Sequence, residues 1–147
     1  ISELERVQRR ATKLLTSCRH RNYKDRLQYL DLPTLKYRRH RGDMIQVYKI
    51  LTGKYDAAIV PVLQLSNQHA TRGHELKLTT HRTRYNTRKY FFSNRIVKIW
   101  NSLPNNIISA DTVASFEHFL DLHWATQECR FEYEACLTGS NGQNLEI

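Results

Sequence analysis

Residues 88–104 read RKYFFSNRIVKIWNSLP, and this stretch decides the fold. Phe92, Ile96, Ile99, Trp100 and Leu103 are spaced by four, three, one and three positions, which puts them on one side of a helix. Asn94, Arg95 and Lys98 project elsewhere. Ser93 is placed to cap the helix and Pro104 cannot donate the next ladder hydrogen bond, so a helix is predicted from about Asn94 to Ser102 with its apolar side buried.

Immediately upstream, Arg72, Lys77, Arg82, Arg84, Arg88 and Lys89 are interleaved with Tyr85, Tyr90 and Phe91. Cations neutralise phosphates while an exposed ring stacks on an unpaired base, so this pattern suits nucleic acid. The competing reading has Tyr90 and Phe91 closing the core, because aromatic side chains bury the most apolar area. Leu76 and Leu78 alternate with polar neighbours across His74–Thr79, and Arg82–Thr87 is compatible with a second short strand. A short β-hairpin or extended arm is therefore expected between the third long helix and the Trp100 helix. His69, His74 and His81 have no carboxylate at regular spacing, and read as surface or phosphate-neighbouring histidines rather than metal ligands.

Toward the N-terminus, Ser2 and Glu5 have the spacing of a capping box. Leu4, Val7, Ala11, Leu14 and Leu15 follow at helical spacing, and Arg6, Arg9, Arg10 and Lys13 gather on nearly the opposite arc. The expectation is a helix with its leucines inward and its cations facing phosphate or simply solvent. Asn22 is a cap for a short helix with Leu27 and Leu30 inward, and Thr34 caps a long third helix that stops near Gly53. On that helix Tyr37, Met44, Ile45, Val47, Tyr48 and Leu51 share a face, with Arg38, Arg39 and Lys49 opposite. Gly42 lies among the exposed cations, either to admit a close neighbour or as a tolerated weak spot. Residues 54–67, broken by Pro61, read as a turn with at most a small helix.

Downstream, Asn105–Asp111 reads as a loop, and Thr112 caps a last helix whose stripe is Phe116, Phe119, Leu120, His123 and Trp124. This helix is expected to pack on Phe92, Ile96 and Trp100. The fold class is thus mainly α, a small basic helical domain over residues 1–126, followed by an acidic, partly disordered tail over 127–147.

The 147-residue chain has a formal charge of +9, unevenly distributed. Residues 1–100 hold 22 Lys and Arg against 7 Asp and Glu, whereas residues 101–147 hold 1 against 7. A basic body attracts polyanions, nucleic acid first. The acidic end is a candidate cover for the basic face when nucleic acid is absent. Cys18, Cys129 and Cys136 form no C-x-x-C pair, which indicates neither a disulfide framework nor a zinc knuckle, and no metal or other cofactor is expected. No apolar run is long enough to span a bilayer and no N-terminal apolar leader is present, so neither a membrane partner nor secretion is expected.

Four ordered segments carry a family resemblance: LERVQRRATKL at 4–14, YKDRLQYLDLPTLKYRRHRGDMIQVYKIL at 23–51, TRGHELKL at 71–78, and the 88–104 stretch. From Leu4 to about Trp124 the chain resembles the far C-terminal region of reverse transcriptases encoded by non-LTR retrotransposons of the jockey and chicken-repeat type. The polymerase chemistry of that family lies upstream, in a palm whose paired aspartates hold two metal ions. Adjacent aspartates are absent from this chain, so no enzymatic activity is expected of it alone. The resemblance implies a fragment that positions template RNA or target DNA beside polymerase domains supplied elsewhere, inside a nuclear or cytoplasmic ribonucleoprotein. The nucleic-acid contacts expected are Arg6, Arg9, Arg10, Lys13, Arg38, Arg39, Arg82, Arg84, Arg88, Lys89, Arg95 and Lys98. The alternative is a non-catalytic remnant or packing module that docks on the polymerase. An independent catalytic domain lacks both a nucleophile–base set and a metal set.

Overall fold

The computed structural model describes residues 2–56, 58–66, 73–80, 85–139, 142 and 144–145. Its elements are α1 (Ser2–Lys13), α2 (Tyr23–Tyr29), α3 (Leu35–Leu51), α4 (Asn86–Lys89), α5 (Phe92–Ser102), α6 (Asn105–Ile108), α7 (Val113–His123) and a 3-10 turn at Glu128–Arg130. The chain is mainly helical, and no strand longer than an isolated bridge occurs among the described residues.

Local caps set three of the helix starts. Asn22 accepts from the N–H of Asp25, Thr34 from Tyr37 and Thr112 from Ser115, each oxygen satisfying a first-turn donor that has no helical partner. Gly53, with φ of +66°, follows the end of α3, where the left-handed conformation is inexpensive only for glycine. Around Gly42 an added Cβ would meet nothing within 4 Å, so no neighbouring element of the fold needs a glycine there.

The long α3 forms the axis, with α5 and α7 packed on it. Tyr37, Met44, Val47 and Tyr48 turn inward as their spacing predicts, while Arg38 and Arg39 stay exposed. Tyr48 stacks on Phe116 with ring centroids 4.3 Å apart, Tyr37 meets Trp124 edge-on at 6.0 Å, and Trp100 tilts against Phe116 at 6.1 Å. Trp100 is fully buried, and its indole Nε1–H donates to the Leu76 carbonyl at 2.7 Å. On α7, Phe116, Leu120 and Trp124 are buried as expected; Phe119 is exposed.

Several expectations are corrected. Helix α5 begins at Phe92, and its cap position is Phe91 with no side-chain hydrogen bond, so Ser93 lies inside the first turn. Residues 105–108 form a helical turn that buries Ile107 and Ile108. Leu78 pairs antiparallel with Leu65, upstream of it, with Ser66 N–H to Lys77 O at 2.7 Å and Thr79 N–H to Gln64 O at 2.8 Å. The downstream half of the expected hairpin lies mostly outside the described residues, and Asn86 and Thr87 at its end are helical.

The largest departure concerns α1. Glu5, Gln8 and Thr12 are buried, while Leu4 is 65% exposed, Val7 64% and Leu14 84%. The inward polar groups are satisfied: Glu5 accepts from Tyr23 OH at 2.7 Å and Leu35 N–H at 3.0 Å, Gln8 donates to Pro33 O at 3.1 Å, and Arg26 Nε donates to Thr12 Oγ1 at 3.3 Å. Burying polar groups is tolerable only when each finds a partner, and these do. The Glu5 carboxylate thus reaches beyond its own helix, to α2 and α3.

Residues 127–139, expected to belong to a tail, are part of the packed domain. Cys129 and Leu137 are fully buried, Thr34 bonds Cys129 O and Arg130 O, and the buried Lys36 ammonium donates to Ala135 O at 2.8 Å. Three acids of residues 101–147 form ion pairs among the described residues: Asp121 and Glu117 with Arg41, and Glu132 with Lys24. Neither cation is among those expected to contact phosphate.

Candidate nucleic-acid interface

The turn between α4 and α5 is held by Asn94, whose Nδ2 donates to the Arg88 carbonyl at 2.5 Å. This bond closes residues 88–94 into a fixed corner, and the corner turns Tyr90 and Phe91 outward; Phe91 is 64% exposed. The reading that closes the core with these two rings is therefore overturned. Tyr85 is exposed as well.

Across from the corner, the Leu65–Leu78 bridge brings residues 62–64 and 78–79 alongside the first turns of α5. Between them is an open groove of about 480 Å³, bordered by Leu63, Gln64 and Thr79 on one side and by Arg88, Phe91 and Asn94 on the other. Lys98, one helical turn beyond Asn94 on α5, is exposed and lies outside the residues that line the groove. The groove thus has an aromatic wall, amide and hydroxyl groups, and the Arg88 guanidinium among its lining. The contribution of residues 62–64 was missed in the sequence, although the alternation of Leu63 and Leu65 with Gln64 and Ser66 was the signal available.

The other candidate cations divide into two kinds. Arg10, Lys13, Arg38, Arg88 and Lys98 are exposed, and no ion pair engages them among the described residues. Arg6 forms an exposed i,i+3 pair with Glu3, a contact worth about 0–1 kcal/mol that leaves the guanidinium open to solvent. Arg39 is exposed on the outer face of α3. Arg9 is held between two rings, its guanidinium carbon 4.9 Å from the Tyr23 centroid and 5.1 Å from that of Tyr133. Arg95 is the clearest exception to the phosphate reading. Its Nε and Nη2 donate to the two Asp43 oxygens at 2.8 Å each, and Nη1 donates to Tyr90 O at 3.3 Å. The hydrogen bond to Asp43 raises its pKa, and its charge is spent inside the fold, tying α3 to α5. Arg82 and Arg84 lie outside the described residues, as does the side chain of Lys89.

His74 is buried, which corrects its reading as a surface residue. Its Nε2 bonds the Trp100 carbonyl at 3.1 Å, and its ring stands edge-on to Trp100 at 5.9 Å. Burial, reinforced by the positive charge of Lys77, pushes the imidazole pKa down. His69 and His81 lie outside the described residues. Cys18, Cys129 and Cys136 form no disulfide, and no group of three His, Cys, Asp or Glu is arranged to hold a metal ion among the described residues. No helix among them is long and apolar enough to cross a membrane.

No protein-family model, curated protein or solved structure matches the chain.

Proposed function

We propose that this chain is a nucleic-acid-binding module that positions RNA or DNA without acting on it chemically, the role implied by its resemblance to the end of retrotransposon reverse transcriptases. The observation that carries this reading is the corner at residues 88–94, where exposed Arg88 borders a groove walled by the exposed ring of Phe91, with exposed Lys98 farther along α5. The cations neutralise phosphates and release counterions, which supplies affinity without sequence preference. Arg10 and Lys13 on α1 and Arg38 on α3 are further exposed cations available to phosphate. In this reading the polymerase aspartates belong to other domains, and the module works within an intracellular ribonucleoprotein.

The test is a titration of labelled RNA–DNA hybrid, duplex RNA and duplex DNA at several salt concentrations. Wild type is compared with a variant neutralised at Arg6, Arg10 and Lys13 and one neutralised at Arg88 and Lys98. Binding that weakens with salt, and a shallower salt dependence in the variants, support the reading. Indistinguishable affinities and slopes across the three proteins reject it.

A second reading, a packing module that docks on the polymerase domains of a parent protein, is favoured by α1. Leu4 and Val7 on that helix, and Leu14 just past its end, lie uncovered, the surface expected of a face that meets a missing domain. Replacing Leu4, Val7 and Leu14 with Gln separates the two readings: nucleic-acid affinity is retained in a binding module, whereas docking to the parent polymerase is lost in a packing module.

A further inference from the structure

We infer that the groove beside Phe91 is a pocket for an unpaired nucleotide, so that the module selects single-stranded nucleic acid over duplex. The inference rests on the nucleic-acid reading and gives it a substrate class. Three features of the groove converge on this ligand.

The first is the ring. Phe91 precedes α5 without packing into the core, although the helix it leads buries Ile96 and Trp100. An exposed phenyl face at the edge of a concave surface gives a base a stacking platform, and such stacking tolerates any sequence because every base has a π face. The second is size. A groove of about 480 Å³ lies within the range of about 300–1,000 Å³ typical of sites for small molecules, whereas a duplex presents its bases stacked and edge-on. The third is the placement of polar groups. Arg88 is at the rim, where a phosphate flanking an inserted base would lie, and Gln64 and Asn94 offer amides beside the ring for the base edge. Asn94 also fixes the geometry, since its bond to the Arg88 carbonyl holds the ring and the cation on one short turn. Both RNA and DNA present this chemistry when unpaired, and the two sources are separated by experiment.

The test uses the whole chain and four probes of one length: oligo-dT, oligo-rU, the same DNA strand with abasic sites, and a DNA duplex. Wild type is expected to bind the single strands more tightly than the abasic strand. Phe91→Ala is expected to lose on the order of tenfold in affinity for the base-bearing strands, the effect of one base–aromatic stack, with no change on the duplex or the abasic strand. Phe91→Leu, which keeps an apolar side chain without an aromatic face, should show the same selective loss, and Phe91→Trp should restore binding. The ratio of rU to dT affinities identifies the preferred strand. Equal losses on single strand and duplex, or equal wild-type affinity for abasic and base-bearing strands, would overturn the pocket while salt-dependent binding kept the broader reading intact. Absence of salt-dependent binding to any probe would overturn both.

Discussion

Glu5 and Leu35 are joined across the fold: the Glu5 carboxylate on α1 accepts the backbone N–H of Leu35, the first residue of α3, at 3.0 Å. The same carboxylate accepts from Tyr23 OH at 2.7 Å, so one buried acid connects the first three helices. An anion at the N-terminus of α3 also opposes the positive end of that helix. The hydrogen bond to Glu5 and burial together push the Tyr23 phenol pKa well up, with burial the larger cause.

Glu5→Ala should therefore destabilise the domain by about 1.5–3 kcal/mol, the range for hydrogen bonds to a charged group. Glu3→Ala, which removes only the exposed pair with Arg6, should change stability by less than about 1 kcal/mol. Urea denaturation of the two variants checks this, and equal effects would remove Glu5 from its central position.

Trp100→Ala should cost about 3–5 kcal/mol, because it empties the space between α3, α5 and α7 and strands the Leu76 carbonyl. A melting temperature unchanged by the substitution would be incompatible with the buried position.

Stability should fall as pH drops below about 6.5, the ordinary histidine value. The native His74 pKa is depressed by burial, so below that pH the unfolded chain takes up a proton that the native state refuses. The contribution is fully present above the unfolded pKa and is lost progressively on acidification. His123, also depressed by burial, acts in the same direction. Chemical denaturation between pH 8 and 5.5 should show a steeper decline for wild type than for His74→Gln; identical profiles would exclude His74 as a source.

Arg95 and Lys98, three residues apart on α5, should behave oppositely. Arg95→Gln leaves Asp43 without its bidentate partner and should lower stability. Lys98→Gln should leave stability unchanged and reduce the log–log salt slope for duplex DNA by about 0.9 if the ammonium meets one phosphate. Melting curves and salt titrations on the two variants provide the comparison, and a shared phenotype would contradict the division between paired and open cations.

Much of this architecture is legible in the chain itself. Asn22, Thr34 and Thr112 announce helix starts because a capping oxygen acts on N–H groups two or three residues away, a purely local interaction. The stripes of α3 and α5 announce the core because helical periodicity aligns Met44 with Tyr48, and Ile96 with Trp100, whatever the rest of the chain does. The candidate groove was only half visible. Its cations and rings stand together in sequence, but its other wall depends on the bridge between Leu65 and Leu78.

Tertiary structure alone decided which face of α1 turns inward, which arginines remain open and where residues 127–139 belong. Periodicity shows that a helix has two unlike faces, but the face that packs depends on what distant residues offer it. For α1 these are Tyr23, Pro33 and Leu35, whose polar groups satisfy Glu5 and Gln8 and leave Leu4 and Val7 in water. Arg95 and Lys98 look alike along the chain, and only Asp43, brought alongside by the packing of α3 on α5, distinguishes them. A charge is neutralised by what lies near it in space, and that proximity is created by the fold.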